Sequence, residues 1–553
     1  MAGYRDPLRE IAARGTYLDA EDVERFLNLS LPGADELMAW LEIARLARQT
    51  SPDEIIVDAA PTAHTLRLLA SPEALRRFAG VLDRLQERHR WMAERFGGTW
   101  RPDASDALIA DLEARGKGIE ELLRDPERCQ VFWVMLPEIL SLEETRDALA
   151  ALDEAGIPVR EVIVNRVSRP DAERIAEIRT VLAGRTLRFL PEAEKEPRGK
   201  VALRRLGNSW PATSPSVPLL KEREGPTRTA SQSPPFSFRR RVGDEVAGLN
   251  WLDNIAPPAL QLLFFGGKGG VGKTTCAAAA ALALAARRPA ARILLISTDP
   301  AHSVADVLEV PLGDDERAVP GAPSGLRARE LDAERAFAAW RERYGERAEE
   351  AVGAFTQDRG GVGDLLDLTP PGIDEMIAVS SLLDAVFGAD GGEPAFDLVV
   401  VDTAPTGHAL RLLEMPELAL AWDHYLLSLL LKYREAVGLG DLAAGLVALS
   451  RNLKRFQELL RDPARCRFVA VTRAAELPRR ETARLLRSLK RLGIAVPAVV
   501  FNALGGSVPT AGALRKGLGL GRCAIITAPA LFPPPRGVAR LAAWVASWDE
   551  LTG

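Results

Sequence analysis

The stretch GGKGGVGKTT, which begins at Gly266, constrains the fold of this chain more than any other feature. It satisfies the phosphate-loop pattern G-x-x-x-x-G-K-[ST] over residues 267–274. The apolar run ALQLLFF precedes the loop and the alanine-rich run TTCAAAAALALAARR follows it, which predicts a buried strand, the loop and then a helix. Because loop N–H groups and a helix N-terminus both attract phosphate oxygens, this order of elements predicts a nucleotide site.

Four further apolar runs in the second half of the chain predict more strands, and long helical patterns separate them. These runs are ARILLIST, FDLVVVDTAP, CRFVAVT and PAVVFNAL. Strands that alternate with helices form a mostly parallel sheet that is covered by helices on both faces. The fold class predicted for residues 259–553 is therefore α/β, as a complete P-loop NTPase-type domain.

The first half of the chain repeats the second half without its phosphate loop. VDAAPTAHTLRLL, from Val57, and VDTAPTGHALRLL, from Val401, are identical at ten of thirteen positions. LLRDPERC and LLRDPARC form a second pair, and the asparagines of VIVNRV and VVFNAL, Asn165 and Asn502, form a third. These repeats predict two homologous domains with the same mostly parallel sheet.

The first of these domains is incomplete in the sequence. Gly267 precedes Asp402 by 135 residues, whereas only 57 residues precede Asp58, the counterpart of Asp402. The predicted domains are an incomplete one over residues 1–208, a flexible linker rich in Pro, Ser and Thr over 209–258, and the complete one over 259–553. Two explanations stay open: an upstream segment that encodes a second phosphate loop, or a degenerate domain that serves as a scaffold.

Composition and charge exclude several classes of function. Hydrophobic residues make up 47% and charged residues 27% of the chain, which is typical of a globular protein. The net charge of -5 gives no argument for nucleic acid as a partner. The four cysteines form no C-x-x-C pair, so neither a zinc site nor a disulfide framework is expected. A cytoplasmic protein is expected, and because no apolar run is long enough to span a bilayer, any membrane role would be peripheral, at the inner face.

A second lysine inside the loop, Lys268, gives it the "deviant" form of the Walker A motif. The chain also contains STDPAHSVADVL from Ser297, DTAPTGHALRLL from Asp402, the asparagine of VVFNAL and the proline-rich APALFPPPRG. With these motifs it resembles the ArsA family of arsenite-pump and tail-anchored-protein-targeting ATPases, over almost all of both halves. The resemblance implies ATP and Mg²⁺ as ligands of the complete domain.

The motif and the resemblance assign roles to individual residues. Lys273 is expected to reach the β- and γ-phosphates, and the Thr274 hydroxyl to ligate Mg²⁺. The resemblance implies that Asp299 positions or deprotonates the attacking water and that Asp402 binds Mg²⁺ through water. It also implies that Lys268 stabilises the transferring phosphate across a domain interface. The residues implied in nucleotide binding, adenine contacts included, are Gly267, Lys268, Gly269, Gly270, Val271, Gly272, Lys273, Thr274, Thr275, Asn502, Pro529, Pro535 and Arg536.

The resemblance leaves three functions open. The first is a motor that couples ATP hydrolysis to efflux of an anion or metalloid of the arsenite type, with a membrane-embedded transporter as partner. The second is a targeting or chaperone ATPase for hydrophobic clients, whose groove would include the apolar stretch DHYLLSLLLKYREAVGLGDLAAGLVAL from Asp423. The third is a non-catalytic, nucleotide-gated interaction protein.

Two further expectations bear on these alternatives. Arsenite-type ions need clustered thiolates, and no cysteine lies just after DTAPTGH, where the resemblance implies the metalloid thiols. Paired nucleotide sites would form either in a pseudo-dimer within the chain or in a homodimer through two second halves, with Lys268 exchanged between the chains. His302 and His408, which lie in the two switch stretches, are expected to make structural hydrogen bonds.

Overall fold

The structure is a computed structural model of the chain. The residues that it describes are 2–16, 18–29, 34–47, 54–59, 62–97, 99–167, 172–193, 197–208, 250–299, 303–333, 335–339, 342, 373–388, 393–432, 440–504, 510–516, 518–519, 523–531 and 533–551. Most of the predicted linker, residues 209–249, lies outside these ranges, as does His302.

Helices and strands are numbered along the chain. The helices are α1 (Ala2–Gly15), α2 (Ala20–Asn28), α3 (Ala34–Ala47), α4 (Thr62–Gly97), α5 (Ala104–Arg124), α6 (Ile139–Glu154), α7 (Ala172–Val181), α8 (Gly199–Asn208), α9 (Asn250–Ile255), α10 (Lys273–Arg287), α11 (Ser303–Leu308), α12 (Ile373–Phe387), α13 (Thr406–Lys432), α14 (Gly440–Arg461), α15 (Glu476–Leu492), α16 (Ala511–Arg515) and α17 (Val538–Val545). The strands are β1 (Val131–Met135), β2 (Val159–Val167), β3 (Leu187–Pro191), β4 (Leu262–Gly266), β5 (Ile293–Ser297), β6 (Arg317–Ala318), β7 (Leu326–Glu330), β8 (Leu398–Asp402), β9 (Cys466–Thr472), β10 (Ala498–Leu504), β11 (Ala524–Pro529) and β12 (Asp549–Leu551).

The second half is built on one large sheet with the order β12-β11-β10-β9-β4-β8-β5-β7-β6. Its strands pair in parallel except at the two edges, where β12 and β6 pair antiparallel with their neighbours. The strand before the phosphate loop, β4, lies between β8 and β9, and all three are almost completely buried. The predicted α/β fold is therefore confirmed, and each of the five predicted apolar runs contains a strand.

Helices cover both faces of this sheet. On one face the alanine-rich helix α10 packs against β4, β5 and β8, together with α17. Its alanines up to Ala285 are almost completely buried, because their small side chains let the helix backbone approach the sheet closely. On the other face α12, α13, α14 and α15 pack over the opposite sides of the same strands. The glycine loop is thus held between a buried strand and a buried helix.

The predicted linker ends earlier than residue 258. Residues 250–255 form helix α9, and Trp251, Leu252 and Ile255 lie in the core beside α10. Trp251 is 3% exposed and stacks on Trp548 at a ring separation of 5.2 Å. The folded second half therefore begins at about residue 250 rather than at 259, because these apolar side chains bury surface that a linker would leave exposed.

Replacing Trp251 tests this boundary. We expect Trp251→Ala to lower the free energy of unfolding by about 3–5 kcal/mol, since it removes a fully packed ring from the core. Trp91 lies on α4 and is 58% exposed, so Trp91→Ala should change stability by less than about 0.5 kcal/mol. Urea unfolding followed by circular dichroism measures both. An unchanged unfolding midpoint for Trp251→Ala would show that residues 250–258 behave as a linker.

The first half keeps a smaller version of the same sheet. Its strands β1, β2 and β3 pair in parallel in that order, as β9, β10 and β11 do in the large sheet. In both sheets the register of the middle strand shifts near its end, between Val164 and Val167 and between Phe501 and Leu504. These shifts occur at equivalent places, directly around the paired asparagines. The structure thus agrees with the duplication that the sequence predicts.

The strands that flank this sheet in the second half have no described counterpart in the first half. Residues 54–59, which repeat β8, form no strand among the described elements, and Ile56 is 86% exposed. Phe132 and Val134 of β1 are 49% and 58% exposed. Their counterparts Val469 and Val471 are fully buried, because the phosphate-loop helix covers them. The small sheet therefore exposes the face that α10 covers in the large one.

Helices α6, α7 and α8 of the first half group with its sheet, whereas most of α1–α5 does not. The chain divides into two compact units, one formed by residues 1–61, 70–119 and 242–553 and the other by 62–69 and 120–241. In the first unit, Tyr425 Oη of α13 donates to the Asp22 carbonyl of α2 at 3.0 Å, and Lys432 Nζ donates to Asp22 Oδ2 at 2.7 Å. These contacts tie α2 to the second half. Residues 1–208 are thus not one compact unit, contrary to the predicted division.

Candidate nucleotide site

The glycine loop passes very close to neighbouring backbone. A Cβ atom at Gly267 would lie 2.2 Å from the carbonyl oxygen of Val471, so only glycine fits between β4 and β9 at this point. Gly272 has φ of 87° and is the N-cap of α10, a conformation that favours glycine. The sequence therefore places glycine at the positions where the loop must turn tightly before the helix begins.

Helix α10 begins with the two residues that the motif assigns to phosphate and metal. No side chain caps its N-terminus, so the first N–H groups of the helix point toward the loop. Lys273 is 6% exposed and Thr274 is 9% exposed. A buried ammonium group beside free helix N–H groups creates a strongly positive pocket, which suits the phosphates of a nucleotide. The remaining loop residues Gly269 and Gly270 are exposed, and Lys268 and Thr275 are half-buried.

Asp402 ends β8 next to this pocket and is completely buried. The pKa of its carboxyl is raised to about 7, chiefly by burial and also by the negative charge of Asp299, although Lys273 and the hydroxyls of Thr274 and Ser297 act to lower it. Ser297 Oγ donates to Asp402 Oδ2 at 3.4 Å, whereas Oδ1 has no donor among the described residues. A buried carboxylate oxygen without a donor is expensive unless a ligand supplies one. The donor set therefore fits a Mg²⁺ ion, which the Thr274 hydroxyl and, through water, Asp402 would hold.

The first switch stretch lies next to Asp402. Asp299 follows β5, and its N–H donates to Ser297 Oγ at 3.2 Å. Ser303, the first residue of α11, lies 3.0 Å from Thr274, hydroxyl to hydroxyl, and both side chains are buried. The structure thus brings Asp299 to the same edge of the sheet as Lys273 and Asp402. The hydroxyls of Ser297 and Ser303 were not singled out from the sequence, although both lie within the STDPAHS stretch.

The second switch stretch opens α13. His408 Nδ1 lies 3.0 Å from Glu375 Oε1 of α12, and the two side chains are 13% and 8% exposed. His408 therefore makes the structural hydrogen bond that was expected. Glu375 was not identified from the sequence, because the local sequence does not show that α12 and α13 are in contact at this point.

The proposed adenine elements lie at the same edge of the sheet. Asn502 Nδ2 donates to the Val271 carbonyl of the loop at 2.8 Å. Pro529 ends β11 in register with Leu504, two residues after Asn502. Pro535 is buried and Arg536 half-buried, in the segment that leads to α17. The structure thus brings Asn502 into direct contact with the loop and places Pro529 on the neighbouring strand end.

Lys268 is the second lysine of the glycine loop. It is half-buried, and no carboxylate within the described ranges pairs with it. Among the described residues no helix is both long and apolar enough to cross a bilayer.

Comparison with known proteins agrees with this site. The sequence model of a family described as anion-transporting ATPase, the ArsA ATPases, matches residues 8–182 and 260–507. An ATPase named ARSA1 from Chlamydomonas reinhardtii is 27% identical over 527 residues, which cover 86% of this chain and 62% of that protein. This chain thus spans less than two thirds of the algal relative.

Two other relatives represent different members of the group. A Halobacterium salinarum protein, named as an arsenical pump-driving ATPase, is 27% identical over 88% of this chain and 71% of its own length. The ATPase GET3 of Candida glabrata is 34% identical over 262 residues, which cover 44% of this chain and 71% of that protein. Because the family model matches more than half of the residues, in both halves, the chain belongs to the anion-transporting ATPase (ArsA) family.

Proposed function

We propose that the second half of this chain binds Mg²⁺-ATP and hydrolyses it. The observation that carries the proposal is the buried cluster of Lys273, Thr274 and Asp402 at the end of the glycine loop, with one Asp402 oxygen lacking a donor. Lys273 would hold the β- and γ-phosphates, and Thr274 and Asp402 would hold Mg²⁺. The bound ion would neutralise phosphate charge.

The other residues of the site would act on the attacking water and on the transferring phosphate. Asp299 lies at the end of β5, from which its carboxylate would orient the water and accept its proton. Lys268, which the described carboxylates leave unpaired, would reach the phosphate of a facing nucleotide site. Asn502, which contacts the loop, and residues 529–536 would complete the nucleotide site. The direct test is phosphate release from ATP by the full chain, with and without Mg²⁺. Failure to turn over ATP would favour the non-catalytic alternative.

We propose that ATP hydrolysis by this chain drives the efflux of an anion. Its partner would be a membrane-embedded transporter, and the chain itself would be cytoplasmic. Support comes from the family description and from the name of the halobacterial relative. The cysteines of this chain do not support the binding of a soft metalloid ion. Cys276 and Cys466 are buried, and burial raises the pKa of both thiols, which disfavours the thiolate form that a metalloid needs.

A targeting or chaperone role is the second candidate, and one observation favours it. Apolar side chains on α13 and α14 are exposed although they lie in a helical layer of the large domain. They are Leu426, Leu431, Val447 and Leu449, with exposed fractions from 38% to 61%. Such a surface suits a hydrophobic helix. Capture of a synthetic apolar helix by the full chain, compared with a Leu426→Ser and Leu431→Ser double variant, tests this role.

We predict that As(III) and Sb(III) do not strongly stimulate ATP hydrolysis. Such an ion needs two or three thiolates, and no group of three metal-binding side chains of the His, Cys, Asp or Glu type occurs in the described part of the chain. Steady-state rates with and without antimonite measure the effect. Activation by antimonite that disappears when Cys129 and Cys523, the two partly exposed cysteines, become serine would contradict the prediction.

A further inference from the structure

The side chain of Asn502 uses both of its polar atoms inside the protein. Its amide nitrogen donates to the Val271 carbonyl at 2.8 Å, and its Oδ1 accepts from the N–H of Ala503 at 2.6 Å. Ala503 has φ of 56°, so β10 makes a tight turn at its register shift between Phe501 and Leu504, and this acceptor stabilises the turn. Asn502 is 8% exposed. The amide thus links the end of β10 to the phosphate loop.

Asn502 contacts the glycine loop at the last turn of the loop. Val271 immediately precedes Gly272, and a Cβ atom on Gly272 would lie 2.2 Å from Asn502 Nδ2. The amide therefore fills the space that a side chain at position 272 would occupy. Since Gly272 caps α10, whose first residue is Lys273, the position of this carbonyl sets where the helix and its lysine begin.

The first half provides an internal comparison. Asn165 Oδ1 accepts from the N–H of Arg166 at 2.9 Å, and Arg166 has φ of 60°. The same turn therefore forms in a small sheet that contains no phosphate loop among its described residues. Asn165 is half-buried, and its amide nitrogen has no described partner. The turn thus forms at Asn165 without a described bond from the amide nitrogen. Of the two features of Asn502, only the bond to the loop involves the nucleotide site.

We propose that Asn502 is a positioning residue that holds the phosphate loop in its binding shape, whichever base the nucleotide carries. The inference rests on the proposed function, since it assigns a role within the proposed ATP site. An adenine-reading residue would act on the base alone. A residue that positions the Val271 carbonyl acts on the phosphates, and so its loss affects every ligand that binds through a triphosphate.

The experiment uses Asn502→Ser in the full chain. Serine is, like asparagine, a common turn residue, but it is too short to reach the Val271 carbonyl, and it adds no charge near the phosphates. Asn165→Ser is the matched control. Calorimetry measures the binding of ATP, GTP and inorganic tripolyphosphate, which has no base. Thermal melting of each variant checks that it is folded at the temperature used.

We expect Asn502→Ser to weaken all three ligands by the same factor, about three- to tenfold, the usual effect of losing one buried hydrogen bond. The KM for ATP should rise by that factor, and Asn165→Ser should match the parent. Weakening of ATP alone would overturn the inference and assign Asn502 to adenine, and unchanged binding would also overturn it. A parent chain that binds neither ATP nor tripolyphosphate would instead refute the proposed nucleotide site, and the inference with it.

Discussion

Lys273→Ala is expected to weaken ATP binding at least about 100-fold, which corresponds to about 2.7 kcal/mol. Lys273 is only 6% exposed at the start of α10, where its ammonium group would form charge-assisted bonds to the phosphates. Alanine leaves the helix intact, because it is the best helix former, and it removes only the charge and its stem. Isothermal titration of the full chain with Mg²⁺-ATP measures the change.

The control for this prediction is another lysine on a helix of the same domain. Lys490 is exposed in the last turn of α15, so Lys490→Ala removes the same charge away from the glycine loop. It should leave ATP affinity unchanged. If Lys273→Ala binds ATP as tightly as Lys490→Ala does, the phosphates do not lie at the end of the glycine loop.

Asp299→Asn is expected to keep ATP affinity within a few-fold of the parent while lowering the turnover rate by about 100- to 10,000-fold, the range typical of a lost general base. Asparagine has the same shape and keeps the backbone bond from residue 299 to Ser297. It removes only the negative charge and the capacity to accept a proton from water. Single-turnover hydrolysis, with binding measured separately by titration, gives the two quantities.

Asp397→Asn serves as the matched control because Asp397 lies at the opposite edge of the sheet. It precedes β8 and forms an exposed ion pair with Arg292, which precedes β5. The same chemical change there should leave turnover unaltered. Hydrolysis by Asp299→Asn at the parental rate would show that another group activates the water.

Local sequence was sufficient for the elements closest to the nucleotide site. The run ALQLLFF, the glycine loop and the alanine-rich run occur in consecutive order, and they form β4, the loop and α10. Each depends on neighbours within a few residues, namely on burial pattern, on backbone freedom at glycine and on helix propensity. The duplication could also be predicted from the sequence, because it is found by comparing one segment of the sequence with another.

Contacts between segments that are distant in the chain could not be predicted from local sequence. The bond from Asn502 to Val271 joins residues 231 positions apart, and the pair Thr274 and Ser303 joins the first turns of α10 and α11, which only the sheet brings together. Likewise, the composition of residues 209–258 predicts a linker, but Trp251 is buried because Trp548 and α10 lie beside it. No local pattern records which partner a side chain meets.

The sequence by itself therefore determined the class of fold and the order of strands and helices around the glycine loop, and it predicted the residues that are proposed to hold phosphate and Mg²⁺. Only the tertiary structure decided that Asp402 is completely buried, with one oxygen lacking a described donor, and that α2 of the first half packs on α13 of the second. The physical reason is that local elements follow from short-range preferences. Burial, and with it the pKa and the hydrogen-bond partners of each side chain, depends on which remote segments close around it.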